Sequence, residues 1–289
     1  MSKVSSNTTL SALISLLDDP DETAFQLIRK QILLLGVGAI APLENYLENN
    51  FNNIVQQRVN SIISELHHKH IYLEFSDWLN NGSSDLLKGF ILVTKTEYPS
   101  LDEDEIVSDI AQLKTDIWVE LNENLTAFEN VKVFNHVFFD IHHFNGYKGK
   151  IAKPQFNYVN GLLENKKGSP VSLGILYIIL AQKLGLPVYG VNLPQHFVLV
   201  YLGGEGIEDP SENDVLFYIN PFNMGAVFPR REIDLFNRQM KIKPEKSFFL
   251  PCSNADIIFR LIHNLIFSYN HTGEIDKVEV LETLLAAYE

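Results

Sequence analysis

The sequence predicts an α+β protein in which one buried helix packs on an antiparallel meander, with helical regions before and after it. Three observations predict this. The stretch from Pro170 to Lys183 is apolar almost all round, which marks a helix covered on most sides. Three runs rich in β-branched and aromatic residues follow, at 187–193, 196–202 and 215–219, separated by turn residues. Helical spacing dominates residues 1–128 and returns over residues 246–289, which leaves 129–245 as the core.

The bulk numbers exclude several classes. At 289 residues, 46% hydrophobic and 20% charged, the chain has enough apolar surface for a real core. A net charge of −13 argues against nucleic acid and anionic membranes as partners. No run of about 18 apolar residues occurs, and Met1 to Asn7 lacks the apolar segment of a signal peptide. The single cysteine, Cys252, forbids an internal disulfide and fits a reducing cytoplasm.

The N-terminal region reads as short paired helices. Leu10, Leu13, Ile14 and Leu17 give a first, stopped by Pro20. Asp21-Glu22 starts a second, with Phe25, Ile28 and Ile32 on one face. Pro42 opens a third, through Leu47. Val55, Val59, Ile62 and Leu66 mark a fourth, which ends at the basic cluster His67-His68-Lys69-His70. A helix C-terminus that favours cations accounts for this cluster better than a metal site. The pairing suggests HEAT-like repeats. Further helices are expected from Asp85 to Thr96 and from Asp102 to Trp118, with Trp118 in the core.

The core begins with an aromatic helix around Phe134, Phe138 and Phe139. A loop through Gly149, a helix from Asn157 to Glu164 and a second loop lead to the buried helix. Ser169 is its N-cap, Pro170 its first residue and Gly185 its C-terminal cap. After the strands, Ser253 caps a tail helix that Thr272-Gly273 breaks before another. This hairpin suits one tetratricopeptide-like unit.

Three polar residues stand out. Ser172 lies in the first turn of the buried helix, His196 begins the second strand and Asn220 ends the third. Neighbouring antiparallel ends bring His196 and Asn220 together, and a helix packed on the sheet adds Ser172 at the same edge. This is the nucleophile, base and orienter layout of papain-like and transglutaminase-like enzymes. Gln195 and Asn157 are placed at the pocket.

The runs Lys167-Gly168-Ser169-Pro170-Val171-Ser172-Leu173-Gly174, Leu193-Pro194-Gln195-His196-Phe197 and Ile219-Asn220-Pro221-Phe222-Asn223-Met224-Gly225 carry a resemblance. They resemble the bacterial transglutaminase-like family with C-terminal tetratricopeptide repeats, often labelled a regulator of sirC expression. The resemblance implies a papain-like, transglutaminase-type core, with Ser172 at the nucleophile position, His196 as base and Asn220 at the acidic orienter position. Serine cannot rest as a thiolate, and an amide is the weaker orienter. In a serine triad, Asp→Asn costs about 10⁴-fold in rate. The expectation is therefore a catalytically silent, cytoplasmic binding or regulatory protein that meets a protein or peptide through its helical regions. No cofactor or metal is expected. The alternative is a serine-dependent hydrolase or acyltransferase using Ser172 and His196. Asp209 could supply a carboxylate near His196, but it lies in the hairpin turn, far from the strand end, so Asn220 is the preferred match. Cys252 and the group His136, Asp140, His142 and His143 are read as structural or surface residues.

Overall fold

The computed structural model describes residues 10–149, 153–204 and 209–288. The stretch Met1 to Asn7 and the Glu205-Gly206 part of the predicted hairpin turn lie outside them. Contact density divides the chain into two units, Met1–Ser76 and Asp77–Glu289.

In the first unit, residues 10–14 are helical. They are followed by α1 (Glu22–Leu34), α2 (Ile40–Glu48) and the start of α3 (Asn53–Asn80). Asp21 caps α1 by accepting from the Thr23 N–H. Its core is Leu17, Ile32, Leu43, Val55, Val59 and Ile62, all buried. Arg58 donates to the Leu17 and Asp19 carbonyls at 3.1 and 2.6 Å, which ties α3 to the first turn of the unit. The predicted helix end at His67–His70 is corrected: α3 is a helix of 28 residues that runs on through this cluster to Asn80. Neither Gly nor Pro interrupts residues 66–78, and Ile71, Phe75 and Trp78 extend the apolar spacing of Leu66. The basic cluster is therefore mid-helix. Among the described residues, no single helix is long and apolar enough to cross a membrane.

The second unit continues with α4 (Leu86–Lys95), α5 (Glu103–Glu120) and α6 (Ala127–Asn135). Asp85, Asp102 and Thr126 are their side-chain N-caps. Trp118 is not core. It is 62% exposed, because Ile106, Ile110, Leu113 and Ile117 occupy the buried face of α5, and the next residue is turned about 100° away. One π-helical stretch, His136–Ile141, extends α6 and was not legible in the sequence. It gathers Phe138 against Phe144, with ring centroids 4.5 Å apart.

Two short strands, β1 (Asn145–Gly146) and β2 (Lys167–Gly168), pair in parallel around α7 (Val159–Asn165). The helix predicted from Asn157 to Glu164 is α7, which starts two residues later, and Asn157 instead closes a 3₁₀ turn, Pro154–Asn157. Next comes α8 (Pro170–Lys183), in which every residue from Val171 to Ala181 is buried. The meander is β3 (Val188–Leu193), β4 (His196–Leu202), β5 (Val215–Asn220) and β6 (Ala226–Phe228), antiparallel throughout and in sequence order. Neither β6 nor the following α9 (Arg230–Gln239) was anticipated. The tail hairpin is α10 (Asn254–Thr272) and α11 (Ile275–Leu285), broken at Gly273 with φ +80°.

Two faces of the meander bury different partners. Val191, Leu193, Val198, Val200 and Tyr218 form one core with Ile233 of α9 and Phe249. The alternate residues face α8. Phe197 fits a socket made by two glycines. A Cβ on Gly174 of α8 would lie 2.5 Å from its ring, and one on Gly190 of β3 would lie 2.8 Å from it. Both α4 and α10 also pack on α8, which is why residues 77–128 belong to the core unit rather than to a separate domain. The Tyr158 and Tyr269 hydroxyls meet at 2.7 Å, Tyr269 donates to Glu97, and Lys277 donates to Glu97 at 2.6 Å. Burial raises both tyrosine hydroxyls, so the pair stays neutral.

A Gly174→Ala substitution tests the socket. Phe197 must shift off its position between α8 and β3, and a loss of about 1–3 kcal/mol in urea unfolding is expected. No loss would mean that α8 and the sheet do not approach this closely.

Candidate functional site

The first turn of α8 positions the site. Pro170 has no N–H to leave unpaired, and Ser169 and Ser172 form a reciprocal capping box. The Ser169 N–H donates to Ser172 Oγ at 2.9 Å, and the Ser172 N–H donates to Ser169 Oγ at 3.1 Å. Ser172 Oγ in turn donates to the Phe156 carbonyl at 2.7 Å. Ser172 is fully buried. Its one proton and its acceptor capacity are thus committed to holding the helix start against the Pro154–Asn157 turn.

His196 sits elsewhere. Phe197 faces α8, so His196, one residue earlier, turns to the opposite side of the sheet. Its ring lies 4.7 Å from that of Phe236 on α9, edge to face. His196 is exposed and pairs with Leu193 across the two-residue turn Pro194-Gln195. Asn220 ends β5, where its Oδ1 accepts from the Phe222 and Asn223 N–H groups at 3.1 Å each. It caps the Pro221–Asn223 turn. By strand register and alternation, Asn220 falls beside Val198, on the face that carries His196. The structure thus brings His196 and Asn220 to one side of the sheet and keeps Ser172 on the other.

The two predicted pocket residues also part. Gln195 is exposed in its turn, at φ +62°. Asn157 does line a cleft, of about 370 Å³, in front of the α8 N-terminus. It is 4% exposed, and its Oδ1 has no hydrogen-bond partner. The cleft's apolar walls are Tyr147, Phe156, Phe222 and Phe267, with Tyr147 and Phe156 4.3 Å apart between centroids. Polar groups come from Lys153, Ser169, Asn264, Ser268 and His271. An apolar pocket with a few convergent polar groups is the usual form of a ligand site.

Most of these residues escaped sequence reading because they come from four separate segments. One signal was present. Asn264, Phe267, Ser268 and His271 recur at i, i+3, i+4 and i+7, one stripe of α10, and polar members in such a stripe mark a face that is not simply core.

The other candidates are accounted for locally. His136 Nδ1 lies 3.0 Å from Asp140, and His142 Nε2 lies 3.1 Å from Asp116, so these histidines serve separate carboxylates. Among the described residues, no group of three or more His, Cys, Asp or Glu could hold a metal. Asp209 is exposed in the long β4–β5 turn. The Cys252 thiol donates to the Gly190 carbonyl at 3.3 Å, and burial pushes it up to about 12.

Comparison with known proteins places these features. Residues 104–263, more than half of the chain, match the transglutaminase-like superfamily. The UPF0162 protein of Xylella fastidiosa is 24% identical over 208 residues, covering 66% of this chain and 67% of that protein. The UPF0162 protein YchA of Escherichia coli is 23% identical over 204 residues, covering 71% and 65%. F-box only protein 21 of Homo sapiens is 30% identical over 103 residues, covering 35% of this chain and 16% of that protein. No solved structure gives a significant match.

Two measurements check this geometry. Ser172→Ala removes the acceptor for the Ser169 N–H and the bond to Phe156, while the backbone N–H at 172 still meets Ser169 Oγ, so unfolding free energy should fall by about 1–3 kcal/mol. An unchanged value would free the hydroxyl from its structural role. Stability should also fall at alkaline pH. The folded Cys252 thiol holds its proton up to about 12, and burial likewise raises Tyr218 to about 12. The unfolded thiol releases its proton near 9, so stability is level below that and declines as pH rises from about 9 towards 12. Urea midpoints from pH 7 to 10.5 should show this decline, with a smaller one in Cys252→Ala.

Proposed function

The chain belongs to the transglutaminase-like superfamily, and we propose that it works there as a binding module rather than as an enzyme. One observation carries the reading: the Ser172 hydroxyl is spent on the helix cap and on Phe156, on the side of the sheet that His196 does not face. A serine nucleophile needs a base within hydrogen-bond reach to take its proton. Asn220 likewise gives its oxygen to backbone N–H groups of its own turn. On this reading Ser172, His196 and Asn220 are vestigial triad positions. The useful remainder is the cleft over the α8 N-terminus, which Asn157 and Ser169 border.

The same reading covers the flanks. In this proposal the paired helices of the first unit and the α10–α11 hairpin serve as HEAT-like and tetratricopeptide-like elements, whose work is protein binding. A cytoplasmic regulatory module, working through a protein or peptide partner, is the function these features support together.

Labelling with a fluorophosphonate probe, followed by intact-mass analysis, tests the proposal. The expected result is no adduct on the wild-type protein. A stoichiometric adduct on Ser172 that disappears in His196→Ala would overturn it and establish the hydrolase alternative. A Ser172→Cys/Cys252→Ser variant adds a second check. Its thiol sits in the capping position, and iodoacetamide at pH 7.5 should leave it unmodified.

A further inference from the structure

We propose that the ligand of the cleft is an acidic peptide segment, held by Lys148, Lys153 and Lys167 at the rim, by Asn157 at the floor and by the aromatic walls between. This rests on the binding-module reading above and names the partner's chemistry.

The first argument is charge. The chain carries 36 acidic and 23 basic side chains. A surface taken at random from it is acidic. Among the described residues, the charged side chains lining the cleft in front of α8 are Lys153 and His271, with no carboxylate. A second hollow of about 390 Å³ adjoins it, sharing Tyr147, Gly149 and Phe222. That hollow adds Lys148 and Lys167, again with no carboxylate among the described residues. The two together form one groove with a cationic rim, reinforced by the positive end of the α8 dipole at Ser169-Pro170. Complementary charge of this kind steers and selects anionic partners.

The second argument is the floor. A buried side-chain amide oxygen without a partner costs about 1–3 kcal/mol, and a donor from a bound molecule recovers it. Asn157 Oδ1 is such an oxygen, enclosed beneath the cleft lining, and a bound donor reaches it when the Asn157 side chain turns towards the cleft. A peptide N–H is the donor that an extended chain supplies at every residue. The third argument is the walls. Tyr147, Phe156, Phe222 and Phe267 offer apolar surface between the charged points. A peptide alternating acidic and apolar side chains satisfies all three. A nucleic acid would meet the lysines, but it would also meet the repulsion of a chain at net −13.

The test uses the full chain. A bead-displayed pool of random decapeptides is selected on the wild-type protein and on Lys148→Glu/Lys153→Glu/Lys167→Glu. All three lysines are exposed, so this variant should keep the wild-type fold and circular dichroism spectrum. Wild-type selection should enrich Asp and Glu at least threefold over the input, with apolar neighbours, and the variant should lose that enrichment. The best peptide, labelled with fluorescein, should bind at least tenfold more weakly to the triple variant and at least threefold more weakly to Asn157→Ala. Its affinity should fall as salt rises from 50 to 300 mM. Selection without acidic enrichment would overturn the proposal. So would equal selection on the charge-reversed protein, or a single-stranded oligonucleotide that displaces the peptide at lower concentration. A fluorophosphonate adduct on Ser172 would instead sink the silent-fold reading while leaving these binding results intact, so the two failures are separable.

Discussion

Complete burial of α8 is the constraint on which the second unit depends. Eleven consecutive buried residues leave the helix no side to expose, so cover must come from every direction. The sheet covers it through Phe197 and Leu199, and α4 and α10 cover it elsewhere. Close cover demands small residues where backbones approach, which is the work of Gly174 and Gly190. It also demands that polar atoms inside be matched. The Tyr177 hydroxyl donates to Asn135 Oδ1 at 2.9 Å, and Asn135 Nδ2 donates to the Gly225 carbonyl at 2.8 Å. One hydrogen-bonded side chain thereby joins the middle of α8 to the end of α6 and to the turn after β5.

The candidate site follows from the same burial. A helix whose first turn is enclosed must satisfy its leading N–H groups internally. Here Ser169 and Ser172 do so for each other, and Phe156 takes the remaining hydroxyl proton. What faces outward at that end is Ser169 and Pro170 with an aromatic rim, and an unpaired Asn157 oxygen lies enclosed beneath them. The same turn thus commits the hydroxyl to structure and opens a recess in front of it.

Much of the core was legible because its signals are local. Ser169, Pro170 and Gly185 bracket α8 in the sequence as they do in the structure. The three main strands announce themselves by runs of β-branched and aromatic residues bounded by turn residues. Features set by tertiary contact were not legible. The π-helical stretch at His136–Ile141 depends on how the aromatic cluster packs, and α3 runs through a basic cluster because nothing local stops it. Trp118 looked like core by type, but a one-residue offset from Ile117 puts it in solvent. For the site, motif order singles out Ser172, His196 and Asn220 as candidates but not the face each side chain takes. That depends on where strand alternation begins, and Phe197 sets it by entering the Gly174–Gly190 socket. The cleft itself is assembled from residues as distant as Tyr147 and His271, and only the stripe on α10 left a trace.

The serine pair of α8 also fixes which positions are free to vary. A hydroxyl at 172 accepts one hydrogen bond and donates another while fully buried. Sulfur is larger, donates weakly and accepts weakly, so a cysteine there forfeits part of the cap. Exposed Lys148, Lys153 and Lys167 carry no such duty and can change at little expense to folding. Sequence variation is thus channelled to the rim of the groove, while the enclosed pair is held by the fold.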